Sequence, residues 1–214
     1  MESYADATLP TRPGEGEALL VPPATDSDDK PVGAHTPGGG WEIWMFILGE
    51  MTIFVIMFGT FAYRRSLDPE AFYESQRQVH TVFGTTNAIL LLTSSLFVVL
   101  AVQAVREGRR TPARRLILFG GACGVAFLLV KTVEWTVGIS DGFTFNANEF
   151  ASYYYVLCGL HVVHVVVGLV ILAVVREHVA RPEPSMQLVE TGAIYWHMVD
   201  VLWIVLFALL FLVR

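Results

Sequence analysis

Five ionisable residues sit at helical spacing inside otherwise apolar runs: His161 and His164 in GLHVVHVVVG, His197 and Asp200 in YWHMVDVLW, and Glu50 in LGEM. The members of each pair are three positions apart, which puts both side chains on one helix face. Imidazole beside carboxyl can hold or pass a proton, and three histidines with two acids are ligand types for zinc, copper or haem iron. An ionisable side chain in hydrocarbon costs roughly 2.5–3.5 kcal/mol on insertion scales, so each of the five needs a partner or a function.

The elements that carry them read as membrane spans. In 214 residues, 54% are hydrophobic and only 16% charged, a balance that fits an integral membrane protein. Runs near 41–63, 80–105, 115–138, 150–175 and 190–213 reach the roughly 20 residues that cross a bilayer. Lipid offers the backbone no hydrogen-bond partner, so each run is expected to be a helix. The expected fold is therefore an all-α integral membrane bundle of five transmembrane helices over residues 41–214.

Residues 1–40 differ, with Pro10, Pro13, Pro22, Pro23, Pro31 and Pro37, three glycines at 38–40 and no periodicity. This composition predicts a disordered tail. It holds seven acids against Arg12 and Lys30, so nearly all of the chain's net charge of −6 belongs to it. The apolar ALLV at 18–21 is too short for the core of an export signal and no cleaved signal is expected.

Of the Lys and Arg outside the spans, nine fall on the side of the tail and four on the other. Positive charge stays in the cytoplasm, which predicts an inside N-terminus and an outside C-terminus. At about 1.5 Å per residue, Glu50 then lies about 13 Å from the cytoplasmic edge, His197 about 10 Å, Asp200 about 15 Å, His164 about 16 Å and His161 about 21 Å. All five lie around mid-membrane, so the two polar faces and the one acid can meet. A structural polar core is the plainest reading, and a proton or ion path and a metal or haem site are the alternatives. HxxH alone is weak evidence for metal, and His161 and His197 differ by about 10 Å in depth, although His164 and His197 are nearer. No metal site is assigned.

Lys131 and Glu134, also three apart and beside Trp135, read as a self-contained structural ion pair near the outer edge. Thr85, Thr86, Asn87, Thr93, Ser94 and Ser95 in the second run, with Gly120 and Gly124 in the third, read as helix-packing residues. Cys123 and Cys158 read the same way, and Asp68 as a loop acid. The chain carries no nucleophile elbow, H-E-x-x-H, phosphate loop, CxxC or nucleotide fingerprint, so no catalysis by the chain alone and no nucleic-acid partner are expected.

Taken in order, LGEM at 48–51, TTNAILLLTSS at 85–95, VKTVEW at 130–135, GLHVVHVVVG at 159–168 and ETGAIYWHMVDVLW at 190–203 resemble subunit III of the haem-copper (cytochrome c) oxidases. The likeness is greatest to the short five-helix form, which includes the accessory subunit of bacterial nitric oxide reductase. Longer members begin with two additional helices. The resemblance implies a non-catalytic subunit in a bacterial inner membrane that supports the assembly, stability and proton supply of a large haem-bearing subunit. It places haem and copper in that partner and none in this chain, with phospholipid as a companion. It puts Glu50 at the position of a carbodiimide-reactive acid near proton uptake, and Glu134, His161, His164, Glu190, Tyr195, Trp196, His197, Asp200 and Trp203 on motif positions. An independent proton or ion transporter using the buried Glu, His and Asp is the alternative.

Overall fold

The computed structural model describes residues 41–77, 79 and 81–212, without the side chain of Glu42. The expected tail, residues 1–40, lies outside the described residues. Among them there is no strand. The elements are α1 (Trp41–Leu67), α2 (Pro69–Gln76), α3 (Thr81–Arg106), α4 (Arg110–Ser140), α5 (Glu149–Val179) and α6 (Met186–Phe207), the last running into a π-helical turn, Ala208–Leu212. Five of the six helices, all but α2, are long and apolar enough to cross a membrane. The protein is an all-α, multi-pass membrane bundle.

The helices overrun the apolar stretches. α4 starts at Arg110 rather than near 115, α5 continues to Val179, and α6 starts at Met186 rather than near 190. Hydropathy marks where hydrocarbon ends, whereas Arg, Glu and Gln are good helix formers that carry the backbone ladder beyond it. The eight-residue α2 has no apolar signature and was not anticipated. Asp68, expected in a loop, is its N-cap: its carboxylate accepts from the Ala71 amide at 3.2 Å, with Pro69 opening the helix.

The turn between α3 and α4 is a Schellman motif. Gly108 adopts φ 73°, its N–H donates to Val105 O at 2.9 Å, and the Arg109 N–H donates to Ala104 O at 2.8 Å. Such a turn folds α4 straight back along α3.

α3, α4, α5 and α6 pack as a closed ring, α3 on α4 and α6, α5 on α4 and α6. Trp196 of α6 fills its centre with no exposed surface. Its indole N–H donates to Ser94 Oγ on α3 at 3.0 Å, and that hydroxyl donates to Gly120 O on α4 at 2.7 Å. Three helices are thus joined through one ring. A Cβ at Gly124 would stand 2.7 Å from the indole, and one at Gly168 on α5 2.8 Å from it. The small residues in α4 therefore serve packing, Gly120 admitting Ser94 and Gly124 admitting Trp196.

α1 lies on the outside of this ring. It buries Phe54 and Phe61, the latter against Phe72 of α2 and Phe150 and Tyr153 of α5, and Arg64 donates to Glu149 at 2.5 Å. α2 in turn is held by Gln76, whose amide donates to Leu210 O in the π-helical turn at 3.0 Å. Most of the remaining apolar surface of α1 is exposed, as lipid-facing surface must be.

Candidate functional site

Glu50 on α1 and His164 on α5 meet across the helix boundary. His164 Nε2 lies 2.9 Å from Glu50 Oε2, and Nδ1 of the same ring lies 2.8 Å from Leu160 O. A carbonyl oxygen only accepts, so Nδ1 must carry a hydrogen and donate to it. Nε2 then either accepts from a protonated Glu50 or donates to its carboxylate. Two bare acceptors or two hydrogens between the atoms would repel, so one hydrogen lies between Nε2 and Oε2. Phe54, itself fully buried, packs its ring edge-on to His164, while the Glu50 side chain keeps 22% of its surface exposed.

His197 on α6 turns the other way, toward α3. Its Nδ1 lies 2.6 Å from Ser95 Oγ, whereas Asp200 Oδ2 stands 3.9 Å from it, beyond hydrogen-bond reach. Asp200 is 3% exposed, and neither of its carboxyl oxygens has a hydrogen-bond partner among the described residues.

The third cluster lies between α4, α5 and α6. Lys131 Nζ donates to Glu134 Oε2 at 2.7 Å and Tyr154 Oη donates to Oε1 of the same carboxylate at 2.5 Å. The ammonium also stands 4.8 Å from the centre of the Trp203 ring. Lys131 is 1% exposed. The two residues form the expected ion pair, yet it is not self-contained: it is built into the bundle with an aromatic wall, a tyrosine donor and Cys158 Sγ at 3.9 Å. His161 is fully buried one layer away, 5.2 Å from Trp203 and 5.6 Å from Phe127 between ring centres, and neither of its nitrogens has a hydrogen-bond partner among the described residues.

The five residues picked out by spacing thus do not form one cluster. Positions three apart differ by about 60° around the helix, enough on a packed helix to send one side chain into the core and its neighbour into a different interface. His161 faces the Phe127–Trp203 core while His164 faces α1. Of the remaining motif residues, Glu190 accepts from Arg106 at 2.8 Å, and Tyr195 is buried with its hydroxyl 3.5 Å from His164 O. Among the described residues no group of three or more His, Cys, Asp or Glu is placed to hold a metal ion. Sequence reasoning missed Ser95 and Tyr154 as polar partners. By type Ser95 reads no differently from the other small hydroxyl residues of α3; the packing of α3 on α6, which sets Ser94 beside Trp196 and Ser95 beside His197, is what makes it a partner.

Residues 32–213, which contain all three clusters, match the family model described as cytochrome c oxidase subunit III. Cytochrome c oxidase subunit 3 of Synechocystis is 31% identical over 172 residues, covering 78% of this chain and 72% of the relative. The Bacillus sp. protein of the same name is 29% identical over 178 residues, covering 79% and 83%. A haem-copper oxidase subunit I+III of Aeropyrum pernix is 27% identical over 186 residues, covering 80% of this chain and 22% of its own length. A match over most of the chain, including every helix that carries a polar cluster, places this protein in the cytochrome c oxidase subunit III family.

Proposed function

We propose that the chain is a non-catalytic subunit of a membrane haem-copper oxidase complex, supporting the assembly, stability and proton supply of a large haem-bearing catalytic subunit. The match to the subunit III family across residues 32–213 carries this reading. The Aeropyrum relative adds support, since its name joins subunits I and III in one protein. Haem and copper reside in the partner, this chain binds neither, and phospholipid accompanies it in the bilayer. The chain sits in a bacterial inner membrane with its N-terminus in the cytoplasm, in keeping with the excess of Lys and Arg on that side.

Within that reading Glu50 and His164 are the proton-related pair. They hold one proton between them at 2.9 Å, and Glu50 is partly open at the surface of the bundle. The partner reduces oxygen, as the names of the relatives suggest. A nitric-oxide-reducing partner is the second reading, supported by the GAIYWHMVD run at residues 192–200.

Purification through a tag on this chain in mild detergent tests the proposal. The expected result is a large subunit with haem absorbance in constant ratio to the chain, and assays with oxygen and with nitric oxide then identify its substrate. A chain that purifies alone and moves protons or ions across vesicles would overturn the proposal in favour of an independent transporter.

A further inference from the structure

We infer that the groove between α3 and α6 is the surface on which a transmembrane helix of the haem-bearing partner docks, presenting a hydrogen-bonding side chain to Nε2 of His197. The inference rests on the oxidase-subunit reading above. The groove has a volume of about 320 Å³; Val99 and Val102 form one wall and Ala193 and Ile194 the other, with Arg106, Glu190 and His197 also lining it. Arg106 and Glu190 are ion-paired there at 2.8 Å. Apolar walls with a charged pair at one end and a polar group within have the anatomy of a protein interface.

His197 decides the occupant. It lies about 10 Å along α6 from residue 190, where the apolar run begins, yet 35% of its side chain is exposed into this groove. Nδ1 is engaged by Ser95, and Nε2 has no partner among the described residues. Asp200 behind the ring is 3% exposed, and its carboxyl oxygens are unpartnered among those residues. A phospholipid tail would fill the same apolar walls but would leave the imidazole N or N–H without a hydrogen bond in the bilayer. A helix bearing a polar side chain fills the walls and satisfies the ring, which is how transmembrane helices use polar residues to associate.

The groove between α4 and α5 makes the contrast. Its volume is about 380 Å³, its walls include Leu118, Val125 and Leu169, and among the described residues its charged lining is Arg176 and Glu177. Nothing within it asks for a hydrogen bond at mid-membrane, so it suits a lipid tail.

The two grooves supply the test in the intact complex. Val99 and Val125 are 38% and 48% exposed, so Trp at either position fills one groove without entering the core. The amount of this chain per haem is measured after tagging the large subunit, and circular dichroism of each isolated variant checks that it is folded. Val99→Trp and His197→Leu should each lower retention about tenfold, equivalent to about 1.4 kcal/mol of association, and Val125→Trp should leave it unchanged. A photoreactive residue at Val99 should capture the large subunit. Full retention of both α3/α6 variants, an equal loss with Val125→Trp, or capture of phospholipid alone would overturn this docking face while leaving the oxidase reading intact. Absence of any haem-bearing partner with the parent chain would overturn both.

Discussion

Glu50 and His164 sit 114 positions apart in the chain and face each other at 2.9 Å, with the histidine's other nitrogen fixed on Leu160 O. The second contact makes the first informative, because it leaves the pair room for one proton. Substitutions that respect this count and those that violate it should behave differently.

Glu50→Gln offers an amide N–H to the lone pair of a neutral His164, so the hydrogen bond survives and the titratable carboxyl is lost. Glu50→Leu leaves Nε2 without a partner, a loss of about 1–3 kcal/mol. Thermal unfolding in detergent should therefore place Glu50→Leu clearly below the parent and Glu50→Gln near it. A hydrophobic carbodiimide should label the parent at Glu50 and neither variant. Equal stability of the Gln and Leu variants would show that the hydrogen bond to His164 contributes nothing.

Glycine substitutions should separate by what surrounds them. Gly124→Ala and Gly168→Ala drive a methyl to within 2.7 and 2.8 Å of Trp196, whereas Gly159→Ala meets nothing within 4 Å. Overpacking costs about 1–3 kcal/mol. An accommodated Gly→Ala change gains about 0.4–1 kcal/mol. The first two variants should unfold at lower temperature than the parent and Gly159→Ala at the same temperature or higher.

Lys131→Met should be strongly destabilising, by about 3–5 kcal/mol, because it leaves the Glu134 carboxylate buried without its cation. Adding Glu134→Leu removes the orphaned charge and should recover much of the loss. A double-mutant cycle on unfolding checks this. Strictly additive losses would mean that Lys131 and Glu134 are not coupled despite their 2.7 Å separation.

α2 should depend on its two anchors. Asp68→Ala removes an N-cap and costs about 1 kcal/mol locally. Gln76→Leu strips Leu210 O of its buried donor. Hydrogen exchange should rise in α2 for both variants, and in the π-helical turn 208–212 for Gln76→Leu alone. Exchange in that turn that is unmoved by Gln76→Leu would show that the side-chain bond does not hold it.

The sequence determined the membrane class, the five crossings and which polar residues had to be accounted for, because each follows from local composition. A run of about 20 apolar residues in lipid must be helical whatever it packs against, and an ionisable residue within it is costly wherever it points. The tertiary structure decided the pairings. His164 found Glu50 rather than Asp200, His197 found Ser95, and Lys131 and Glu134 gained Tyr154 and Trp203, since each outcome depends on a rotation of about 60° about a helix axis and on the register between helices. Depth along a helix can be counted from the chain. Azimuth is fixed only when Trp196 locks α3, α4 and α6 together through Ser94 and Gly120, and that lock joins residues up to 102 positions apart.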